Sequence, residues 1–547
     1  MNMTSMKRVA MCVGILPLLF FSFVAAAENQ PSKIVPAVLK ADDYRHYVEG
    51  FNRDDEELTR NLHPNAKAWD FMQNNIPLLD YPDKTLEKIY YFRWWTFRKH
   101  IKQAAQGGFV VTEFLPLVPW AGKENAIACP GGHHFREGRW LHNEAILDDY
   151  ARFWLTGGGA LRKYSFWPAD SLWQQSLVTG KTKNAVELLP ELIANVNAWE
   201  AKNLDPCGLF WQNDGNDGME VSVGGSGYRV TINTYEFADA LAISRFEAIA
   251  GNKSLAKTWN DKALRLKKLI NEKLWDSKAQ FYKVAPRVKT ADTPLVLQDV
   301  REEHGYTPWY ADNASIVPVE YNVAWRQLTD PKGFFAPYGP TTTEQRHPGF
   351  KVVYEGHECQ WNGPSWPYST SITLTGLANL INRECAAGRD YDELVNAFRQ
   401  TLNIYTGSHF RKTEKGKTVC WIDENLNPFT GDWISRTILI QDKKKSAKHI
   451  YERGKDYNHS TYCDLIINGL IGVRPLLENA IEVFPLVDRD IEYFCLDSVP
   501  YHGHGLTIFY DKTGKRYKNG NGFHVLIDGK EIHASEKLPA KPVRIDL

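Results

Sequence analysis

The sequence lacks an excess of charge of either sign: 65 Lys and Arg stand against 65 Asp and Glu in 547 residues. A nucleic-acid partner calls for a basic footprint, so this balance argues against one. Cysteine is sparse. Eight are scattered along the chain with no C-x-x-C pair, which argues against a zinc site and leaves at most a few disulfides, whose pairing the sequence does not specify. No period of fixed length recurs, so an ordinary solenoid is excluded. Long apolar runs are missing except at the start, where Lys7 and Arg8 precede "VAMCVGILPLLFFSFV" and then "AAA" before Glu28. A positive start, a short apolar stretch and a small-residue end describe a secretory leader over 1–27. Pro17 and the shortness of the run argue against a spanning helix. The expected protein is therefore periplasmic or secreted, with no stable membrane insertion after cleavage.

Aromatic residues, by contrast, are plentiful: 13% of the chain, 18 of them Trp. That number suits a large core and also a cleft that stacks flat ligands. From about 140 to 475 the apolar spacing is mostly helical. It runs through 140–155, 184–203, 232–251, 254–275, 369–385 and 391–407, and the segments between are long and rich in Gly, Pro and Trp. Helical hairpins with long loops on one side predict a mainly α protein built as an α/α toroid. After about 480, short β-rich runs with turn pairs predict a small C-terminal β-rich region. The expected divisions are the leader over 1–27, a polar N-terminal segment over 28–85, the toroid over 86–478 and the β-rich part over 479–547.

Unusual chemistry gathers in loops. "HHFREGRW" (133–140) holds His133, His134, Arg136 and Glu137, with Glu137 expected in an ion-pair network with Arg136 and Arg139. "RKYSFWPADSLW" (162–173) holds Trp167 and Asp170, and "WQNDGNDGMEVSVGGSGYR" (211–229) holds Asp214, Asp217, Glu220 and Arg229. "YEGHECQWNGPSWPY" (354–368) holds Trp361, Asn362 and Trp366, and "CWIDENLNPFTGDW" (420–433) holds Trp421 and Glu424. The bland readings are turn-forming Asp, structural His and core Trp. A calcium loop fails, because the twelfth position counted from Asp214 is Gly225 rather than Glu. No metal ligand set and no cofactor are expected. Taken together, the loops offer what sugar hydrolysis needs. One carboxylic acid protonates the leaving oxygen and a second carboxylate works from the opposite side, within a concave site lined by aromatic and polar groups. Composition alone does not fix which acids act.

Four of these motifs, in order over roughly 85–475, resemble the (α/α)6-barrel glycoside hydrolases of the trehalase and family 63 type, in particular the mannosylglycerate-hydrolase-like glycosidase domain. "RKYSFWPADSLWQQSLVTG" is similar to the trehalase pattern whose Asp holds the sugar, which implies Asp170. "GMEVSVGGSGYR" resembles the Ser-Gly-x-Asp segment that carries the proton donor. That position is Glu220, a Glu where the family has Asp, and it leaves Asp217 as a rival donor. "QWNGPSWPY" looks like the W-x-G-P-x-W signature lining the site. "ENLNPFTG" resembles E-Y-Y-N-P-x-T-G, whose Glu is the catalytic base, which implies Glu424. The resemblance implies an inverting, exo-acting glycosidase, with Glu220 or Asp217 as acid and Glu424 as base. Asp170, Trp167, Arg136, Arg229, Trp361, Asn362, Trp366 and Trp421 would bind the carbohydrate. The competing readings are a polysaccharide lyase using His134, Tyr228 and Arg229, and a glycan-binding protein without turnover.

Overall fold

A computed structural model describes residues 34–291 and 293–547. The expected leader over 1–27 lies outside the described residues. Among the described residues, six helical pairs alternate between an outer and an inner position. In chain order, α1 (Lys84–His100) leads to α2 (Gly131–Gly138), α3 (Ala145–Leu155) to α4 (Pro168–Thr179), and α5 (Leu189–Asn203) to α6 (Val230–Ile249). Then α7 (Lys253–Lys273) leads to α8 (Thr307–Tyr310), the turns over Val319–Trp325 and α9 (Arg326–Thr329) to α10 (Pro367–Ala386), and α11 (Asp392–Ser408) to a π-helical turn, α12 (Leu465–Leu470). The even-numbered helices form the inner ring, where α4 packs on α2 and α6, and α8 on α6 and α10.

The sequence explains this division. Inner α6 has apolar or small residues all round and is buried for most of its length. Outer α7 buries one stripe, Trp259, Ala263, Leu266 and Ile270, and turns its many Lys outward. Outer α1 is buried nearly throughout because the helices Arg45–Arg53 and Ala68–Asn75 of the N-terminal segment cover it. Local chemistry sets the ends. Asp83 caps α1 by accepting from the N–H of Thr85 and Leu86. Pro168 and Pro367 open α4 and α10, and Gly180 closes α4 with φ +68°.

The ring closes between α2 and α12. The Glu137 carboxylate accepts the backbone N–H of Tyr462 and Cys463, and of Asp464 at 2.8 Å. It binds backbone where the sequence predicts an ion-pair network. The neighbouring Arg139 makes the ion pair instead, with Asp464 at 2.7 Å and both side chains buried. Breaking such a buried pair costs about 3–5 kcal/mol, because one charge is left without a partner.

The C-terminal strands make an antiparallel sheet that recruits a strand from far upstream. Its spatial order is β1 (Leu78–Asp80), β2 (Tyr493–Tyr501), β3 (His504–Asp511), β4 (Gly522–Ile527) and β5 (Lys530–Ser535). Leu79 pairs with Leu496. The buried Asp497, in a bulge of β2, accepts the N–H of Ala37, Val38 and Leu39, which ties the N-terminal segment to the sheet. Residues Ile34–Leu547 thus pack as one unit.

Candidate active site

The loops entering the N-terminal ends of the inner helices enclose a cavity of about 220 Å3. Tyr164 precedes α4, Gly218 and Glu220 precede α6, Trp361 and Trp366 precede α10, and Tyr457 and His459 precede α12. The cavity therefore sits at one mouth of the toroid, where helix N-termini supply positive potential to nearby carboxylates.

Two motifs hold each other in place. The N–H of Ser365 donates to the Leu426 carbonyl, and that of Leu426 to the Ser365 carbonyl, at 2.9 and 3.0 Å. The Trp loop is thereby joined to the Glu424 loop. Asn427 Oδ1 accepts the N–H of Phe429 and Thr430, and Gly431 takes φ +75°, so "NPFTG" turns back on itself. The opposite wall is anchored where the N–H of Trp361 donates to the Glu220 carbonyl at 3.0 Å. Val221, next to Glu220, has φ +66°. A β-branched residue in that region is strained, by about 1–3 kcal/mol, and the surrounding structure must hold it there.

Glu424 is almost fully buried. Its Oε1 accepts from Arg453 Nε at 3.4 Å and its Oε2 from Cys359 Sγ at 3.2 Å. Arg453 also donates to Glu358 at 2.7 Å. Burial pushes Glu358 up, but the Arg453 guanidinium outweighs it and holds that carboxyl at about 2. Glu220 is placed differently. Burial, with the negative charge of Glu424 added, pushes its carboxyl up to about 7. A third acid, Glu113, follows the short strand Phe109–Val111. Burial raises it to about 8, against the hydrogen bond from the Tyr457 hydroxyl, so it stands protonated at neutral pH. Trp361 and Trp366 stack on each other at 4.4 Å along one wall.

The structure thus brings Glu220, Glu424, Trp361 and Trp366 into one cavity. It places the other expected residues elsewhere. Asp217 is sealed beneath the wall, paired with Arg229 at 2.7 Å with both side chains fully buried, and accepts from Thr231. Asp170 is buried and takes a hydrogen bond from Gln174. Trp167 stacks on Tyr235 in the core at 4.1 Å. Trp421 lies between the guanidinium groups of Arg411 and Arg436. Asn362 lies beside the cavity, where its carbonyl accepts the N–H of Lys351. Arg136 lines a separate cavity. The trio His134, Tyr228 and Arg229 does not assemble either: His134 bonds Tyr150 and Asn458, and Tyr228 bonds Asp205. Sequence reading missed Glu113, Arg453, Tyr457 and His459. Glu113 stands alone in the apolar run "FVVTEFLPL", with no partner spacing to mark it.

Residues 123–460 match the mannosylglycerate hydrolase MGH1-like glycoside hydrolase domain, more than half of the chain. The chain belongs to that family. The matched region is a glycoside hydrolase domain. A solved structure called "Sialidase" is 36% identical, with a TM-score of 0.82 over 93% of this chain. The chain spans 45% of that protein's length. The GH63 mannosylglycerate hydrolase of Thermus thermophilus, in complex with Tris, is 11% identical over 64% of this chain and 98% of its own, with a TM-score of 0.46. An α-L-rhamnosidase from Dictyoglumus thermophilum is 12% identical over 86% of this chain and 49% of its own, with a TM-score of 0.49.

Proposed function

We propose that this hydrolase is an exported, exo-acting, inverting glycosidase with Glu220 as general acid and Glu424 as general base. The observation that carries the reading is the contrast between two carboxyls in one aromatic-walled cavity. Glu220 at about 7 keeps a proton to give near neutral pH. Glu424, whose Oε1 lies 3.4 Å from Arg453 Nε, is the carboxyl left to take a proton from the attacking water. Glu113, protonated, would donate a hydrogen bond to a sugar hydroxyl and add no charge. The volume supports exo action. A cavity of about 220 Å3, less than half the size of the one at the other end of the toroid, suits a terminal sugar unit.

A sialic acid brings a carboxylate, and the one guanidinium lining this cavity among the described residues is already shared between Glu358 and Glu424. That supports a neutral sugar at the cleavage position. Export rests on the leader-like start of the sequence, and N-terminal sequencing of mature protein is expected to begin near residue 28.

The test is a screen on aryl glycosides and oligosaccharides, with the first-formed anomer followed by NMR. Release of a single monosaccharide with inverted configuration is expected. Retention of configuration would remove the base role from Glu424, and internal cleavage into larger fragments would remove exo action.

A further inference from the structure

The opposite end of the toroid holds a second cavity, of about 510 Å3, more than twice the volume of the first. It is lined from the later turns of inner helices: Arg136 on α2, Arg245 on α6, Asn379, Asn382 and Arg383 on α10. Arg474, just after α12, completes the cationic side. No part of the proposed hydrolysis uses it.

Most charges here are already matched. Arg245 pairs with Asp312 at 2.5 Å. Arg383 pairs with Glu384 at 3.0 Å, and Glu478 on the wall with Arg544 at 3.1 Å. Glu482 also lines the cavity, without an ion pair among the described residues. Two arginines differ. Arg474 is 7% exposed and gives one hydrogen bond, from Nη1 to Asn379, while its buried Nε and Nη2 find no protein acceptor. Arg136 is 4% exposed and donates through Nε alone, to the Tyr310 hydroxyl at 2.9 Å, while the charges of Asp464 and Asp170 act on it without a hydrogen bond. Burial pushes the Arg474 guanidinium down to about 9, and Arg136 and Arg139 act in the same direction against the charges of Asp464 and Glu482. Native proteins rarely leave buried charged donors unmatched, because each lost hydrogen bond is costly. Beside them, the buried Asn382 Oδ1 also lacks a donor.

We infer that this cavity is a second ligand site, which takes an oxyanion between Arg136 and Arg474, the carboxylate of a sugar acid whose hydroxyl reaches Asn382. A guanidinium fork matches a carboxylate or a phosphate in geometry and in charge. The cavity has room for a saccharide around that group, and the amide supplies an acceptor for its hydroxyl. The enzyme would then hold an acidic unit of a carbohydrate at one mouth and cut a neutral unit at the other.

Calorimetric titration of the full chain with glucuronate, glucose and inorganic phosphate tests this. Saturable binding of glucuronate and none of glucose is expected. Arg474→Met is expected to weaken glucuronate by about tenfold or more, the loss typical of a charge-assisted hydrogen bond. Asn382→Asp, which keeps both arginines but adds a repelling charge, is expected to do likewise if Arg474→Met fails to fold. Both variants should turn over an aryl glycoside as the wild type does, so this result stands apart from the assignment of the catalytic acids. Tighter binding of phosphate than of glucuronate, abolished by the same variants, would keep the oxyanion site and name phosphate as its ligand. Absence of saturable binding by either anion, or binding that both variants leave unchanged, overturns the proposal.

Discussion

The two mouths of the toroid are built by the same inner helices and carry opposite chemistry. At the N-terminal ends, long loops place Glu113, Glu220, Glu358 and Glu424 around stacked tryptophans. Toward the C-terminal ends, the helices themselves carry the arginines, with Arg136 in the last turn of α2 and Arg383 in that of α10. The helix dipoles favour both arrangements, by about 0.3–1 kcal/mol per charge. The difference lies in who supplies the side chains. Loops can gather acids from segments far apart in sequence and hold them with strain, as at Val221. A helix fixes its residues in a regular array, which suits charge matching better than proton transfer.

The sharpest way to break this contrast is at the catalytic mouth. Glu424→Gln is expected to lower hydrolysis by about 10²–10⁴-fold or more on every substrate, since the attacking water needs its general base whatever the leaving group. Near-normal turnover would refute the base assignment. Glu220→Gln should lose nearly as much on a sugar leaving group and far less on nitrophenyl, which scarcely needs protonation. If Glu113→Gln shows that dependence and Glu220→Gln does not, Glu113 is the acid.

Asp217→Asn separates structure from chemistry at the same wall. It leaves Arg229 buried without its charge partner and should cost roughly 3–5 kcal/mol of stability, read as a lower melting temperature. The leaving-group dependence should stay as in the wild type. The reverse pattern would make Asp217 the donor.

Two pH effects are smaller. With the acid at about 7, kcat/KM should fall as pH rises past 7, and this limb should vanish in Glu220→Gln. Glu113 bears on stability. Its folded value of about 8 lies above the 4.5 of an ordinary Glu, so the folded state keeps a proton that the unfolded chain has released. The stability this group contributes is full below about 4.5 and is lost as pH rises toward 8. Compared with wild type, Glu113→Gln should gain in relative melting temperature between pH 5 and 8. A parallel pair of curves would show that the proton is not held there.

Much of the architecture could be read from the sequence, for a physical reason. The outer helices carry a one-sided apolar stripe, so spacing located α7 and α11 to within two residues at each end. Inner helices are legible only when long. α2, "GGHHFREG", has three glycines and no apolar period, and it forms because the ring buries all eight of its residues. α8 is a single turn. At the site, short motifs located Glu220, Glu424 and the Trp pair because loop chemistry is local. They misdirected Arg136, which lies in the last turn of α2 and lines the other cavity, and Asp170, which is buried in the first turn of α4. Glu113 and Arg453 reach the site only through tertiary folding, and no local pattern announces them.

Ring closure has a consequence for how the protein is made. The Glu137 carboxylate waits for backbone 325 residues further on, and Asp80 for Arg516, 436 residues on. At about 5–20 residues per second of synthesis, the gap to the first of these partners lasts roughly 16–65 s. During that time α2, with its buried histidines and glycines, has no neighbour to shield it on one side. Until α12 emerges, the nascent chain is an open arc. A chaperone or a translocation channel that keeps this arc unfolded would therefore decide the yield of active enzyme more than the strength of any single contact in the finished ring.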